Sequence, residues 1–309
     1  MTHSEKLAAI LATVQTDPGN RGLARDPVDN LFTATAGDFE RACRTLLDRH
    51  DVALDMFTGF FIPTGKPPAF ETDGPLGCVF LMRALVDAIV QVAIGSPEAC
   101  SNAIESGLKQ ADFVDYSVVA IKSESSFPSR CIQAGTQWPR QESMHLLAIE
   151  HAGRTADGRY YSMRGRDITS ETRPIDADFL DQIKGMITIG IGDGGNEIGM
   201  GKIPHETIVK NIPNGDLIHC RVPTDHLIVA GVSNWGAYAL AAGVFVLLDR
   251  KPPPDLFDPD RELAILEAMV RDGPLVDGVT GQQTATVDGL SWEEYSRPLI
   301  DIQRILDCR

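Results

Sequence analysis

Residues 186–202 read MITIGIGDGGNEIGMGK, and the fold turns on how this stretch is understood. It opens as a short apolar run, Met186 to Ile191, rich in β-branched residues and predicted to be a strand. It then passes straight into a loop with six glycines in the thirteen residues from Gly190 to Lys202. Similar runs at Val52 to Thr58, Tyr116 to Ile121, Leu146 to Glu150 and His226 to Gly231 predict further strands. Helical patterns alternate with them at Asp38 to Arg49, Pro75 to Gln91, Pro97 to Gln110, Asp176 to Lys184, Trp235 to Leu248 and Asp260 to Asp272. The alternation predicts βαβ units and an α/β fold of three layers, a mostly parallel sheet flanked by helices with the active site at the carboxyl ends of the strands. The Pro-rich stretch Lys251 to Pro259 reads as a connection between two helices, and the turn-rich segments Pro63 to Pro75 and Ser123 to Glu142 read as functional loops.

The chain has 309 residues, 43 acidic against 28 basic side chains and a formal net charge of -15. Such an excess of negative charge repels a phosphate backbone and an anionic bilayer, so neither nucleic acid nor membrane is an expected partner. The longest apolar stretch, Gly236 to Leu248, is too short to span a bilayer. The N-terminus has neither the basic start nor the cleavage site of a signal peptide, which leaves a cytoplasmic address as the expectation. Six cysteines (Cys43, Cys78, Cys100, Cys131, Cys220 and Cys308) are scattered without a C-x-x-C pair and read as reduced thiols. The sequence leaves a homo-oligomer open.

Within the glycine loop, Gly190, Gly192 and Gly195 satisfy G-x-G-x-x-G, so a dinucleotide-dependent oxidoreductase is one reading. That fingerprint needs a helix whose N-terminus faces the pyrophosphate, whereas Gly199, Gly201 and Pro204 disfavour a helix there. Asp193 and Glu197 would also bring negative charge to a dianion. Acidic side chains with Asn196 between them suit a hard divalent cation, which takes oxygen ligands on a tightly folding backbone. The competing reading makes the same carboxylates caps for loop N–H groups.

Other segments converge on the same sheet edge. Ser233 and Asn234 follow a strand and start a helix, whose N-terminus either is simply capped by them or favours a substrate carboxylate. Asp73, just before Pro75, either caps its helix or supplies another oxygen ligand or a general base. Residues 154–166 hold four arginines around the turn Asp157-Gly158, so Arg164 or Arg166 is a candidate clamp for an acidic substrate, or part of an exposed charged hairpin. The seven histidines show no ligand spacing, and no G-x-S-x-G elbow supports a serine hydrolase. A metal-dependent phosphoesterase lacks the clustered histidines of a two-metal centre.

Six segments, TGFFIP (58–63), ETDGPLG (71–77), GRYYSMRGRDIT (158–169), TIGIGDGGNEIGMGK (188–202), VSNWG (232–236) and VDG (287–289), together resemble the D-glutamate cyclase family across almost the whole chain, residues 1–309 as one domain. The resemblance implies a hydro-lyase that converts D-glutamate to 5-oxo-D-proline and water with a divalent cation, manganese or else magnesium. On that basis Asp193, Asn196 and Glu197 are expected around the metal with Asp73 as a further ligand. Arg164 is expected to hold the α-carboxylate, Glu197 or Asp73 to take the ammonium proton and Lys202 to stabilise the oxyanion. A non-catalytic binder of acidic amino acids is the alternative from a different class.

Overall fold

The computed structural model describes residues 1–50, 52–86, 88, 91–113, 117–121, 144–180 and 186–308. Its strands are β1 (Ala53–Thr58), β2 (Phe61–Ile62), β3 (Ala69–Phe70), β4 (Gln91–Ser96), β5 (Ser117–Ala120), β6 (Met144–Ile149), β7 (Ile187–Gly192) and β8 (His226–Val229). Six of them form one sheet in the order β5-β4-β1-β6-β7-β8, every neighbouring pair parallel, while β2 and β3 form a small antiparallel ribbon. Counted within the sheet this is the order 3-2-1-4-5-6 of a doubly wound fold, with its switch point between β1 and β6. In such sheets the crossovers from the central strands diverge, and a crevice opens beyond their carboxyl ends.

Both faces are covered. Leu147 and Ile149 point into one core with the helices Pro75–Leu85, Glu98–Gln110 and Ser233–Leu247. Met144, Leu146 and Ala148, on the alternate positions of the same strand, point into a second core with Phe179, Ile208 and Ile218. This is why β6 is buried at every residue and does not alternate apolar with exposed polar positions. The helix Ser233–Leu247 is buried from Ser233 to Val246, as its apolar circumference requires. Among the described residues no helix is long and apolar enough to cross a membrane.

β4 falls partly where the sequence predicted one helix, Pro75 to Gln91; the helix ends at Leu85 and the chain re-enters the sheet at Gln91. The expected helix Asp176 to Lys184 is described as Asp176–Leu180, and its remainder, the loop Ser123 to Glu142 and Cys131 lie outside the described residues. Helices His3–Val14 and Trp292–Asp307, each with a capping box at its start, are additional to the sequence reading. The described cysteines are free thiols, with Cys43, Cys78, Cys100 and Cys220 buried and Cys308 exposed.

Register brings the site together. Thr58 pairs with Ile149, Ile149 with Ile191, and Gly192 with Val229, so four strands end side by side. The glycine loop folds back tightly on β7: a Cβ on Gly190 would meet Ile198 O at 2.7 Å and Gly199 Cα at 2.9 Å, both backbone atoms that cannot give way. Gly190→Ala is therefore expected to lower unfolding stability by about 1–3 kcal/mol, read as a lower urea midpoint with an unchanged slope.

Candidate active site

Four of the strand ends carry the polar groups of the crevice. β1 leads through the β2–β3 ribbon to Glu71 and Asp73, β6 ends at Glu150, β7 at Asp193, and β8 runs on to Ser233 and Asn234. Glu150 has a backbone φ of 44°, a left-handed conformation that costs an ordinary residue roughly 1–2 kcal/mol. Gly74 also has a positive φ, 91°. A Cβ there would lie 2.4 Å from Thr58 Oγ1 and 2.8 Å from Glu150 Cβ, so only glycine lets the Asp73 loop press onto the two central strands.

Asp73 and Asn234 cap each other's helices. The Asp73 carboxylate accepts from the backbone N–H groups of Asn234 at 2.8 Å and Ser233 at 2.9 Å, at the start of the helix Ser233–Leu247. In return Asn234 Oδ1 accepts from Gly74 N at 2.9 Å and Gly77 N at 2.7 Å, at the start of the helix Pro75–Leu85. Neither helix is capped by its own N-cap side chain. This corrects the expectation that Ser233 or Asn234 caps the helix beside it in sequence, whereas Asp73 Oδ1 also accepts from Gly74 N at 3.0 Å, next to its own helix. It also means that the N-terminus offered by Ser233 and Asn234 to a substrate carboxylate is already occupied by Asp73. Ser233 Oγ donates instead to Glu150 Oε2 at 2.5 Å.

Asp73, Glu150 and Asp193 each present a ligand oxygen, and these oxygens lie within 4.8 Å of one another, all buried. Burial pushes each of their carboxyls above the usual range, Asp73 to about 7 with Asp288 adding to the effect. Burial does the same to Glu71 and Glu197. The cation paired with this group among the described residues is Arg21, which donates to Asp193 Oδ2 at 2.8 Å and Gly231 O at 3.1 Å and pairs with Asp288 Oδ1 at 2.7 Å. A buried set of hard oxygen donors with so little positive charge fits a divalent cation.

The other expected residues sit differently. Glu197 is buried, but its two oxygens accept from the backbone N–H groups of Asp193 at 3.1 Å and Gly195 at 2.7 Å, shaping the loop rather than facing the triad. Asn196 Nδ2 donates to Tyr161 O at 2.8 Å, and its buried Oδ1 has no hydrogen-bond partner among the described residues. Lys202 is not in the crevice. Its Nζ contacts Asp38 Oδ2 and Asp225 O, each at 2.5 Å, beside the amino ends of β7 and β8, at the opposite edge of the sheet, so it cannot serve an oxyanion at Asp193. Arg164 and Arg166 are exposed and line the mouth of a cavity of about 330 Å³ whose deeper wall includes Arg21, Glu71, Glu150 and Asp193. Gly190 and Gly192 lie within β7, and the next helix starts at His205, so the G-x-G-x-x-G match has no helix N-terminus behind it.

Sequence reading passed over Arg21 and gave Glu150 no role. Arg21 sits in a turn after the first helix, where Asp17 Oδ1 accepts its backbone N–H at 2.8 Å, and nothing in that turn announces a partner 172 positions away. Glu150 had a usable signal: an acidic residue closing the apolar run Leu146 to Ile149.

Asn234→Ala strips the acceptor from the buried Gly77 N–H, worth about 1–3 kcal/mol when orphaned, while Gly74 N keeps Asp73 Oδ1 at 3.0 Å, and is expected to lower the guanidinium midpoint accordingly. Mn²⁺ at a hundredfold excess over its Kd is expected to add about 2.7 kcal/mol to stability. In differential scanning fluorimetry that upward shift of Tm should vanish in Asp193→Asn and Glu150→Gln.

The sequence profile described as "D-glutamate cyclase-like, C-terminal" matches residues 10–303. A human protein named "D-glutamate cyclase, mitochondrial" is 32% identical in an alignment that covers 98% of this chain and 52% of the human one. The chain thus spans about half the length of that relative. Together with the parallel sheet and its carboxylate-lined crevice, the match over almost the whole length places the chain in the D-glutamate cyclase-like family.

Proposed function

We propose that the chain is a hydro-lyase that closes D-glutamate to 5-oxo-D-proline with loss of water, assisted by a divalent cation, Mn²⁺ first and Mg²⁺ second. The observation that carries this reading is the buried triad Asp73, Glu150 and Asp193 at the switch point of the sheet, in a chain of this family. Handedness and metal identity come from the family; the donor set supports a hard cation, because carboxylate oxygens suit Mg²⁺ and Mn²⁺.

The α-amine must lose a proton and attack the γ-carboxylate, a poor electrophile that gives up an oxygen as water. A bound cation supplies the charge that polarises such a carboxyl group and offsets negative charge as it builds. Asp73, Glu150 and Asp193 hold that cation, and Asn196 Oδ1 is a neutral oxygen for the same ion. Arg21, which donates to Asp193 and pairs with Asp288, holds both carboxylates in place. At the mouth, Arg164 and Arg166 draw the α-carboxylate and orient the substrate with its amine inward. Glu71, on the cavity wall and outside the triad, takes the ammonium proton. Closure of a five-membered ring needs no second substrate, and holding the two groups in reach supplies much of the rate.

Metal-stripped protein incubated with D- or L-glutamate, with and without Mn²⁺, tests this by chromatography and mass spectrometry. The expected result is loss of one water from D-glutamate only, and only with metal. Asp193→Asn is expected to lower kcat by about 10²–10³. Tight binding of D-glutamate by metal-loaded protein with no product would instead make the chain a binder of acidic amino acids.

A further inference from the structure

The segment Val287-Asp288-Gly289 belongs to the family resemblance, yet the chemistry above uses it only as a partner for Arg21. Asp288 lines the same cavity as Glu71, Glu150 and Asp193, and its carboxylate side chain is only 4% exposed. Arg21 Nη2 takes its Oδ1 at 2.7 Å. The buried Oδ2 has no hydrogen-bond partner among the described residues. The backbone at Asp288 is left-handed, with φ 57°.

That turn is braced from two sides. The fully buried Asp277 accepts on Oδ2 from Gly289 N and Thr286 Oγ1, both at 2.8 Å, and on Oδ1 from Thr280 N at 2.7 Å and Val279 N at 3.0 Å. Thr72, between Glu71 and Asp73, gives its N–H to Val276 O at 2.9 Å and its hydroxyl proton to Thr286 O at 2.8 Å. These bonds tie the Asp288 turn to the wall that carries Glu71 and Asp73. A buried acceptor left unpaired costs stability unless a ligand pairs with it. A backbone held in a sparsely populated conformation by its surroundings is a recurrent mark of a functional position.

We propose that Asp288 is a substrate-binding residue whose Oδ2 seats the α-ammonium group. A primary ammonium carries three N–H donors, and a carboxylate with one oxygen fixed by a guanidinium presents the other as a charge-assisted acceptor in a set place. Asp288 lies outside the group of carboxylates whose oxygens are within 4.8 Å of one another, which leaves it to a ligand other than the cation. Arg21 also donates to Asp193 Oδ2 at 2.8 Å, so one guanidinium fixes the ammonium seat relative to the triad. An ammonium seated there gives one N–H as a hydrogen bond to Oδ2 and passes one proton to Glu71. That leaves a neutral amine, whose lone pair attacks the γ-carboxyl, and a protonated Glu71. The inference rests on the cyclase reading and deepens it, because the seat selects an amino acid over a dicarboxylate that lacks the amine.

The test uses the full chain loaded with Mn²⁺, as wild type and as Asp288→Asn. The amide keeps an oxygen for Arg21, tolerates the left-handed backbone and sets N–H groups where the ammonium would donate. The readouts are KM and kcat for D-glutamate, Ki for glutarate, which has the same length and no amine, and Mn²⁺ affinity by calorimetry. Loss of a charge-assisted hydrogen bond is expected to raise KM about ten- to a hundredfold, with the glutarate Ki and the Mn²⁺ affinity unchanged. Should Asp288→Asn fail to fold, Asp288→Gly accepts the same φ and carries the test. An unchanged KM, or equal weakening of D-glutamate and glutarate, would overturn the proposal. Loss of Mn²⁺ affinity would overturn it too, making Asp288 a ligand of the ion. If the wild type binds D-glutamate without forming product, the cyclase reading falls, and Kd values for D-glutamate and glutarate still decide the seat. A wild type that does not bind D-glutamate would overturn both.

Discussion

Two helices begin at the same buried crevice, and each arrives with backbone N–H groups that nothing in its own turn satisfies. The exchange between Asp73 and Asn234 settles both accounts at once, and the site depends on it. A carboxylate at one helix start and an amide at the other pin the loop after β1 to the segment after β8, across β6 and β7. The N–H groups of Ser233 and Asn234 also oppose the effect of burial on Asp73, which favours its ionised form. The position of the Asp73 carboxylate is thus set by backbone N–H groups of a neighbouring helix start.

Charge supplies the second constraint. Glu71, Asp73, Glu150, Asp193, Glu197 and Asp288 are buried around one guanidinium, Arg21. Carboxylates at this density either hold protons or share a cation, because unpaired ionised groups in a protein interior are prohibitively costly. Glu197 escapes by serving the loop backbone, and Asp288 pairs with Arg21. One oxygen from each of Asp73, Glu150 and Asp193 lies within 4.8 Å of the other two. The acid-rich interior and the exposed arginines at the mouth polarise the cavity along its depth.

The sheet was legible because its central strands are buried and rich in apolar residues, set between helical patterns. β4 was not, since Gln91–Ser96 follows an apolar helix closely and periodicity does not separate a short buried strand from a helix end. In the site, residue types were easier to read than partners. Asp73 and Asp193 announce themselves through their turns, but the bonds that matter join positions far apart in sequence: Asp73 to Asn234, and Arg21 to Asp193. Lys202 shows the converse, because closeness to the glycine loop in sequence puts it at the other edge of the sheet once the loop doubles back. Glu197 and Asp193 look equivalent in the string of letters, and only the path of the loop makes one a backbone acceptor and the other a partner of the triad.

Anomalous scattering from crystals soaked with Mn²⁺ tests most directly whether three strand ends build a metal centre. One peak bonded to oxygens of Asp73, Glu150 and Asp193, with Glu197 still on the N–H groups of Asp193 and Gly195, is the expected result. A peak held by Glu197 and Asn196, with Asp73 and Glu150 outside its coordination sphere, would contradict it.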